Sequence, residues 1–188
     1  MQEYRRALSE ALEQSAYAGR KLVFGEGPAH APVMLIGEAP GANEELEGRP
    51  FVGKAGKNLD EFLALAGLER GQLYIGNTVK IRPYRVSEAG NKVNRTPDAK
   101  EIGWFLPWLL REIELVGPAW IVTLGNTPLQ ALMGKGTVIG NVHGRVLEFG
   151  GRRLVPLYHP ASLIYNHSLR DVYEQDVRAL GEAVRACL

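Results

Sequence analysis

The sequence predicts an α/β fold, a three-layer α/β/α sandwich about a mainly parallel sheet. Short apolar runs alternate with amphipathic stretches along the chain, the pattern of a sheet with helices on its faces. One run, Ala119–Leu124, reads Ala-Trp-Ile-Val-Thr-Leu and is apolar almost throughout, as a central parallel strand covered on both faces is. Polar groups also stand directly after three of the runs: Glu38 after Val33–Ile36, Asn77 after Leu73–Gly76, and His159 after Arg153–Tyr158. In an open parallel sheet, ligands bind in the crevice outside the C-terminal strand ends. Glu38, Asn77 and His159 are therefore expected to meet in one pocket.

Taken in order, residues 3–15 read as an amphipathic helix, with Leu8, Ala11 and Leu12 at helical spacing. Strand one is Val33–Ile36. Gly37 to Gly56 holds five glycines and two prolines and reads as a long irregular segment, which in a compact domain is usually functional. Lys57–Leu68 is a helix with Leu59, Phe62, Leu63 and Ala66 on one face. Strand two, Leu73–Gly76, is followed by a second long polar segment, Lys80 to Pro97. Asp98–Leu115 is a helix whose start signal is Thr96 as N-cap and Pro97 at the first helical position. After strand Ala119–Leu124 comes a short helix, Thr127–Met133. Arg145–Phe149 and Arg153–Leu157 are strands joined by a Gly150-Gly151 turn. Leu169–Cys187 is the closing helix. No repeat, low-complexity stretch or interdomain linker interrupts this order.

Composition narrows the function classes. The chain has 188 residues, 45% hydrophobic and 23% charged, enough for one domain with a real core. A net charge of +1 rules out a polycation, so nucleic-acid binding would need a local basic patch. Lys80, Arg82, Arg85, Lys92 and Arg95 supply one, with Glu88 as the acid among them. Cys187 is the single cysteine, which excludes an internal disulfide and any cysteine-ligated metal or cluster site. No run of about 18 apolar residues predicts a membrane span, and the N-terminus lacks the apolar core of a signal peptide. The expectation is a cytoplasmic protein.

The clusters carry chemistry of several kinds. Gly48-Arg49-Pro50-Phe51-Val52-Gly53-Lys54 begins like a phosphate-binding P-loop, but Ala55 stands where the metal-binding hydroxyl belongs, and Pro50 lacks an N–H. A nucleoside triphosphatase is thereby disfavoured. Glu38 and Glu44 are two carboxylates near one crevice, suited to activating a water or stabilising a sugar cation; the same pair also fits solvated loop acids. Asn77 either caps its strand or offers a donor and an acceptor to a planar ligand edge. Phe51 is either core or a stacking platform for a base. His159 is either an ordinary buried histidine or a donor to a developing anion. The Lys80–Arg95 stretch is either a solvated charged loop or a phosphate-contacting one.

Together, Gly37-Glu38-Ala39-Pro40-Gly41, Gly48–Gly56, Asn77-Thr78-Val79-Lys80, Asn94-Arg95-Thr96-Pro97 and His159-Pro160, with Val23–Gly27 before strand one, resemble the uracil-DNA glycosylase superfamily. The branch they resemble is family 4, the thermophile-type enzymes with an iron–sulfur cluster. The resemblance covers nearly the whole chain, as one domain over residues 1–188. It implies a central four-stranded parallel sheet. It implies that Phe51 stacks on an extruded uracil and Asn77 reads its edge, within a pocket built by Gly37, Ala39, Pro40 and Gly41. Glu38, Glu44 and His159 become the catalytic candidates: the acids on the water and sugar side, and the histidine facing uracil O2. Lys80, Arg82, Asn94 and Arg95 become DNA contacts. So do Pro160, Ala161, Ser162 and Leu163, in a segment from His159 to about Asn166 that would enter the minor groove. Thymine would be excluded by a wall against its methyl group, with Tyr17 or the loop around Phe51 as candidates.

The sequence departs from family 4 at the cluster. The four cysteine positions are Ala11, Gln14, Ile81 and Phe105, so no iron–sulfur cluster, metal or other cofactor is expected, and apolar packing of Ile81 and Phe105 is expected in its place. Tyr84–Val93 is longer than the family pattern, and Tyr165 stands at an arginine position in the wedge. The implied function is a monomeric DNA repair enzyme that flips uracil out of DNA and hydrolyses its N-glycosidic bond with water. No lysine is expected in the pocket to form a Schiff base. The alternatives are a glycosylase for another deaminated base (hypoxanthine or xanthine) and an inactive DNA-binding relative. The expected partner in each case is DNA, with no membrane.

Overall fold

The computed structural model of the protein describes residues 1–162 and 167–187. Strands β1 (Val33–Gly37), β2 (Tyr74–Asn77), β5 (Trp120–Leu124), β6 (Leu147–Phe149) and β7 (Arg152–Leu157) form one sheet in the order β2-β1-β5-β7-β6. The first four are parallel, as expected. The fifth, β6, pairs antiparallel with β7 and closes one edge. Gly150 and Gly151 take φ of 55° and 77° in the connecting turn, a conformation that favours glycine.

Side chains alternate across the sheet because the strand period is two. Val33, Leu35, Ile75, Val122, Leu124, Val155 and Leu157 point to one face. There they pack on α3 (Lys54–Ala66) and on the C-terminal helix α7 (Arg170–Arg185). Met34, Ile36, Tyr74, Ile121 and Leu154 point to the other face. They meet α4 (Ala99–Val116), α5 (Asn126–Met133) and α6 (Ile139–Val142). Helix α1 (Gln2–Glu13) buries Tyr4, Leu8 and Leu12 in a third cluster, with Val79, Ile81 and Phe105. Both long layers of the expected sandwich are therefore present.

Several elements differ from expectation, among them the unexpected α6 and a β6 that begins at Leu147 rather than Arg145. The Gly37–Gly56 segment contains a short helix, α2 (Ala42–Glu47), and α3 begins at Lys54 because Gly53 takes the extended N-cap conformation. The Lys80–Pro97 segment contains a hairpin, β3 (Tyr84–Val86) with β4 (Lys92–Asn94). Its turn is closed by Ser87 N–H to Asn91 O and Gly90 N–H to Ser87 O, with Gly90 at φ 79°. Helix α4 is capped by Asp98 rather than Thr96. The Asp98 carboxylate accepts from the Lys100 and Glu101 amides, and Glu101 reaches back to the Asp98 amide, a full capping box.

Candidate active site

A pocket of about 320 Å³ opens at the C-terminal ends of β1, β2 and β7. Gly37 and Asn77 are register partners at the ends of β1 and β2, which puts Asn77 on the pocket wall. A Cβ on Gly37 would lie 2.5 Å from both Asn77 Oδ1 and the Phe51 ring, so any larger residue would push apart the two groups expected to hold a base. Among the described residues nothing hydrogen-bonds the Asn77 side-chain amide, and it lines the pocket with its polar edge unspent.

Phe51 is buried and sits at φ 54°, a left-handed conformation rare for an aromatic residue. Such strain costs on the order of 1–3 kcal/mol and persists only where the surroundings enforce it. Two features enforce it here. Gly56 packs directly against the Phe51 carbonyl, where a Cβ would come within 1.9 Å. Glu44, on α2, gathers the loop: Oε1 accepts from the Val52 and Gly53 amides at 3.0 and 2.8 Å, and Oε2 accepts from Gly41 at 3.0 Å. Both oxygens of this expected catalytic acid are thus engaged with backbone, although Glu44 does line the pocket.

Glu38 lies between Gly37 and the wall residue Ala39; unlike Asn77 and His159, which the sequence expects it to meet, it is not among the residues that line the pocket. The Thr127 hydroxyl of α5 donates to its Oε2 at 2.6 Å, and Oε1 has no hydrogen-bond partner among the described residues. Of the two acids, Glu38 is the one with an unspent oxygen.

His159 lines the pocket opposite Phe51, with ring centroids 6.2 Å apart and planes 28° from parallel. Burial lowers its pKa from the ordinary 6.5 to about 4, so the ring is neutral at physiological pH. The Ala161 amide donates to Nδ1 at 3.1 Å. Nδ1 is therefore the acceptor, and the single proton resides on Nε2. The turn is tightened by Ser162 N–H to His159 O, and Asn58 on α3 donates to the Pro160 carbonyl at 3.2 Å. Leu163 and Tyr165 lie outside the described residues.

The basic stretch is placed differently from expectation. Lys80 is fully buried, paired with Glu112 at 2.5 Å, and out of reach of a DNA backbone. Arg82 is 8% exposed and works as a clasp, donating to Asn94 Oδ1 at 2.7 Å, Glu45 at 3.2 Å and the Lys92 carbonyl at 3.0 Å. Arg95 makes a two-pronged pair with Glu101, at 2.7 and 2.8 Å, and also donates to the Thr96 carbonyl. A charge in this part of a sequence does not reveal its buried acid, and Glu112 and Glu101 answer two of these cations. Asn94, expected on DNA, lines the pocket instead, with its oxygen held by Arg82.

Sequence reasoning missed Lys54. It lines the pocket at its rim, solvent-exposed, and pairs with no acid among the described residues. The expectation of a pocket without a lysine is thereby corrected: Lys54 follows Gly53 at the end of the P-loop-like run. Tyr17, a candidate thymine wall, sits instead in an aromatic cluster 5.5 Å from Trp104 and 6.1 Å from Phe105.

An iron–sulfur cluster needs several thiolate donors, and Cys187 is the single cysteine of the chain. Ile81 and Phe105 are fully buried in the apolar layer beneath α1, and Ala11 and Gln14 carry no thiol. Among the described residues no group of three or more His, Cys, Asp or Glu side chains could hold a metal ion. This donor set does not fit an iron–sulfur cluster.

The uracil DNA glycosylase superfamily model matches residues 24–180. The chain belongs to this superfamily. It is 41% identical over 174 residues to the type-4 uracil-DNA glycosylase of Saccharolobus solfataricus, spanning 88% of this chain and 77% of that one. It is 38% identical over 168 residues to the type-4 enzyme of Archaeoglobus fulgidus, spanning 85% and 80%. The fold is also similar to the crystal structure of Pedobacter heparinus SMUG2, with a TM-score of 0.59 at 15% identity, covering 100% of this chain and 84% of that one. That likeness covers the α/β sandwich and its central, mainly parallel sheet. No helix among the described residues is long and apolar enough to cross a membrane.

Proposed function

We propose that the protein is a monofunctional uracil-DNA glycosylase acting with water as nucleophile. The observation that carries this reading is the joint placement of an unspent Asn77 amide, the strained Phe51 ring and a neutral His159 in one strand-end pocket.

The chemistry follows from these groups. Uracil must first leave the base stack, which costs a few kcal/mol. Stacking on Phe51 and hydrogen bonds from Asn77 offset that cost, the former by about 1–3 kcal/mol. As the bond from C1′ to N1 breaks, its electron pair passes to the uracil ring and charge develops on O2. The Nε2–H of His159 donates to that oxygen. A neutral donor suits an anion that departs as a weak base, and the ring does not have to take up a proton first. The sugar becomes cationic. In this reading the free Oε1 of Glu38, beside the wall residue Ala39, orients the attacking water and takes its proton as the C1′–O bond forms, that proton passing on to the departed uracil anion, while Thr127 holds Oε2. Glu44 contributes by holding the Phe51 loop. Lys54 stands exposed at the rim, where an ammonium serves the DNA backbone rather than acting as a nucleophile.

The test is base release from labelled oligonucleotides carrying uracil, hypoxanthine, xanthine or thymine, single- and double-stranded, with Glu38→Ala beside the native protein. Uracil release that vanishes in Glu38→Ala supports the reading. Release of a different base alone replaces the substrate. DNA binding without any release overturns the enzyme.

A further inference from the structure

Lys80, Glu112 and Tyr74 form an internal network that the reaction above does not use. Lys80 Nζ donates to Glu112 Oε2 at 2.5 Å and to the backbone carbonyl of Asn77 at 2.5 Å. The Tyr74 hydroxyl donates to Glu112 Oε1 at 2.8 Å. Burial, and after it the Glu112 charge, pushes the Tyr74 phenol far up, so it remains a donor at any working pH. Lys80 and Glu112 have no exposed surface.

An ion pair this deep is a weak source of stability. Replacing such a pair by apolar groups of similar volume is often neutral or stabilising. What apolar groups could not do is hold the Asn77 carbonyl. On its other side the same peptide is fastened to β1, because the amide and the hydroxyl of Thr78 both donate to the Gly37 carbonyl, at 2.8 and 2.9 Å. The backbone of Asn77 is thus gripped from α4 through Lys80 and from β1 through Thr78. The Asn77 side chain has no partner of its own among the described residues, so its aim depends on that grip.

We propose that Lys80, Glu112 and Tyr74 are positioning residues that set the direction of the Asn77 amide and thereby the base selectivity of the pocket. The proposal rests on the uracil-excision reading. A misalignment of about 1 Å at a reacting site can cost about 100-fold in rate, so a small shift of the Asn77 peptide is enough to be read in excision.

The experiment compares the triple variant Tyr74→Phe/Lys80→Met/Glu112→Leu with the native chain, each with and without Asn77→Ala. Thermal unfolding, the KM for DNA and single-turnover release of uracil, cytosine and thymine are measured. The triple variant is expected to stay folded, keep its KM within about twofold and lose about 10- to 100-fold in uracil release, with a smaller change for the other bases. In the Asn77→Ala background the same substitutions are expected to cause no further loss, because both changes disable one group. Tyr74→Phe, which deletes one hydroxyl, carries the same comparison should the triple variant not fold. Native release rates in a folded network variant, or equal fractional losses in both backgrounds, would overturn the proposal. Absence of uracil release by the native chain overturns the underlying reading, and it is seen in a separate arm.

Discussion

The Ala161 amide donates to His159 Nδ1 at 3.1 Å and leaves the proton of the neutral ring on Nε2. Burial holds the pKa of that ring at about 4. Excision is therefore expected to show no titration near 6.5, and the rate stays flat from about pH 5.5 upward as far as His159 governs it. His159→Ala should slow release by about 100- to 1,000-fold. A rate that falls through pH 6.5 and vanishes with His159→Ala would show a protonated donor instead. The same depressed value bears on stability. The unfolded chain takes up the proton near pH 6.5 and the folded one near 4, so stability present above about 6.5 is lost as pH falls to about 4, by about 3 kcal/mol. Urea unfolding of native and His159→Ala proteins at several pH values measures it.

The Glu44 carboxylate spans Gly41, Val52 and Gly53. Charge-assisted bonds to backbone amides are worth about 1.5–3 kcal/mol each, less where water replaces the lost partner. Glu44→Ala is expected to lower stability by about 1–3 kcal/mol and to speed amide exchange at residues 51–53. Excision should fall with it. A variant that loses activity while exchange at Val52 and Gly53 stays native would assign Glu44 to the chemistry rather than to the loop.

The Phe51 backbone separates two effects that a single substitution would merge. Phe51→Ala removes the ring but leaves a Cβ at φ 54°; Phe51→Gly removes both. The glycine variant is expected to be more stable than the alanine variant by about 1 kcal/mol, while both lose stacking worth about 1–3 kcal/mol in DNA binding or rate. Equal stability of the two would mean that the loop relaxes once the ring is gone.

The strand-end pocket is legible in the sequence because buried parallel strands read as continuous apolar runs, and the first polar residue after each marks its C-terminal end. Asn77 and His159, which line the pocket, stand at such ends, and Glu38 stands beside the wall residue Ala39. The roles of Glu44 and Lys80 are not legible. Glu44 acts on amides at Val52 and Gly53, which only the loop's return brings near, and nothing in the local sequence encodes that return. Lys80 has an ordinary alternating neighbourhood, Val79-Lys80-Ile81, in which a lysine reads as the solvent-facing member. Its partner lies on α4, so the inward orientation is a tertiary fact. The hairpin β3–β4 escapes for a related reason: its strands are three residues each and mostly exposed, too short for a period to show.

Ile81 and Phe105, expected from the sequence to replace cluster cysteines by apolar packing, are both completely buried. Dialysis of the protein against a strong iron chelator is expected to change neither the unfolding midpoint nor the excision rate. Phe105→Ala should cost about 3–5 kcal/mol in urea unfolding, the range for deleting a buried aromatic ring. Loss of activity on chelation would show a metal that these residues do not hold.

Lys54 and Arg95 make opposite predictions for DNA binding. Lys54 is an exposed cation on the pocket rim with no acid beside it among the described residues. Arg95 is held by Glu101, whose hydrogen bond raises the guanidinium pKa further, and it braces the start of α4. Releasing one counterion per phosphate contact changes the salt slope of binding by about 1. Lys54→Gln is therefore expected to reduce that slope by about 1 and to weaken binding alike on all sequences, with no change in stability. Arg95→Ala is expected to leave the slope unchanged and to destabilise the fold, because it strands the Glu101 carboxylate, which is only 3% exposed, beside the Asp98 cap. Binding titrations from about 50 to 200 mM salt separate the two. A slope that falls with Arg95→Ala and not with Lys54→Gln would mean that the Glu101 pair opens to take up phosphate when DNA binds.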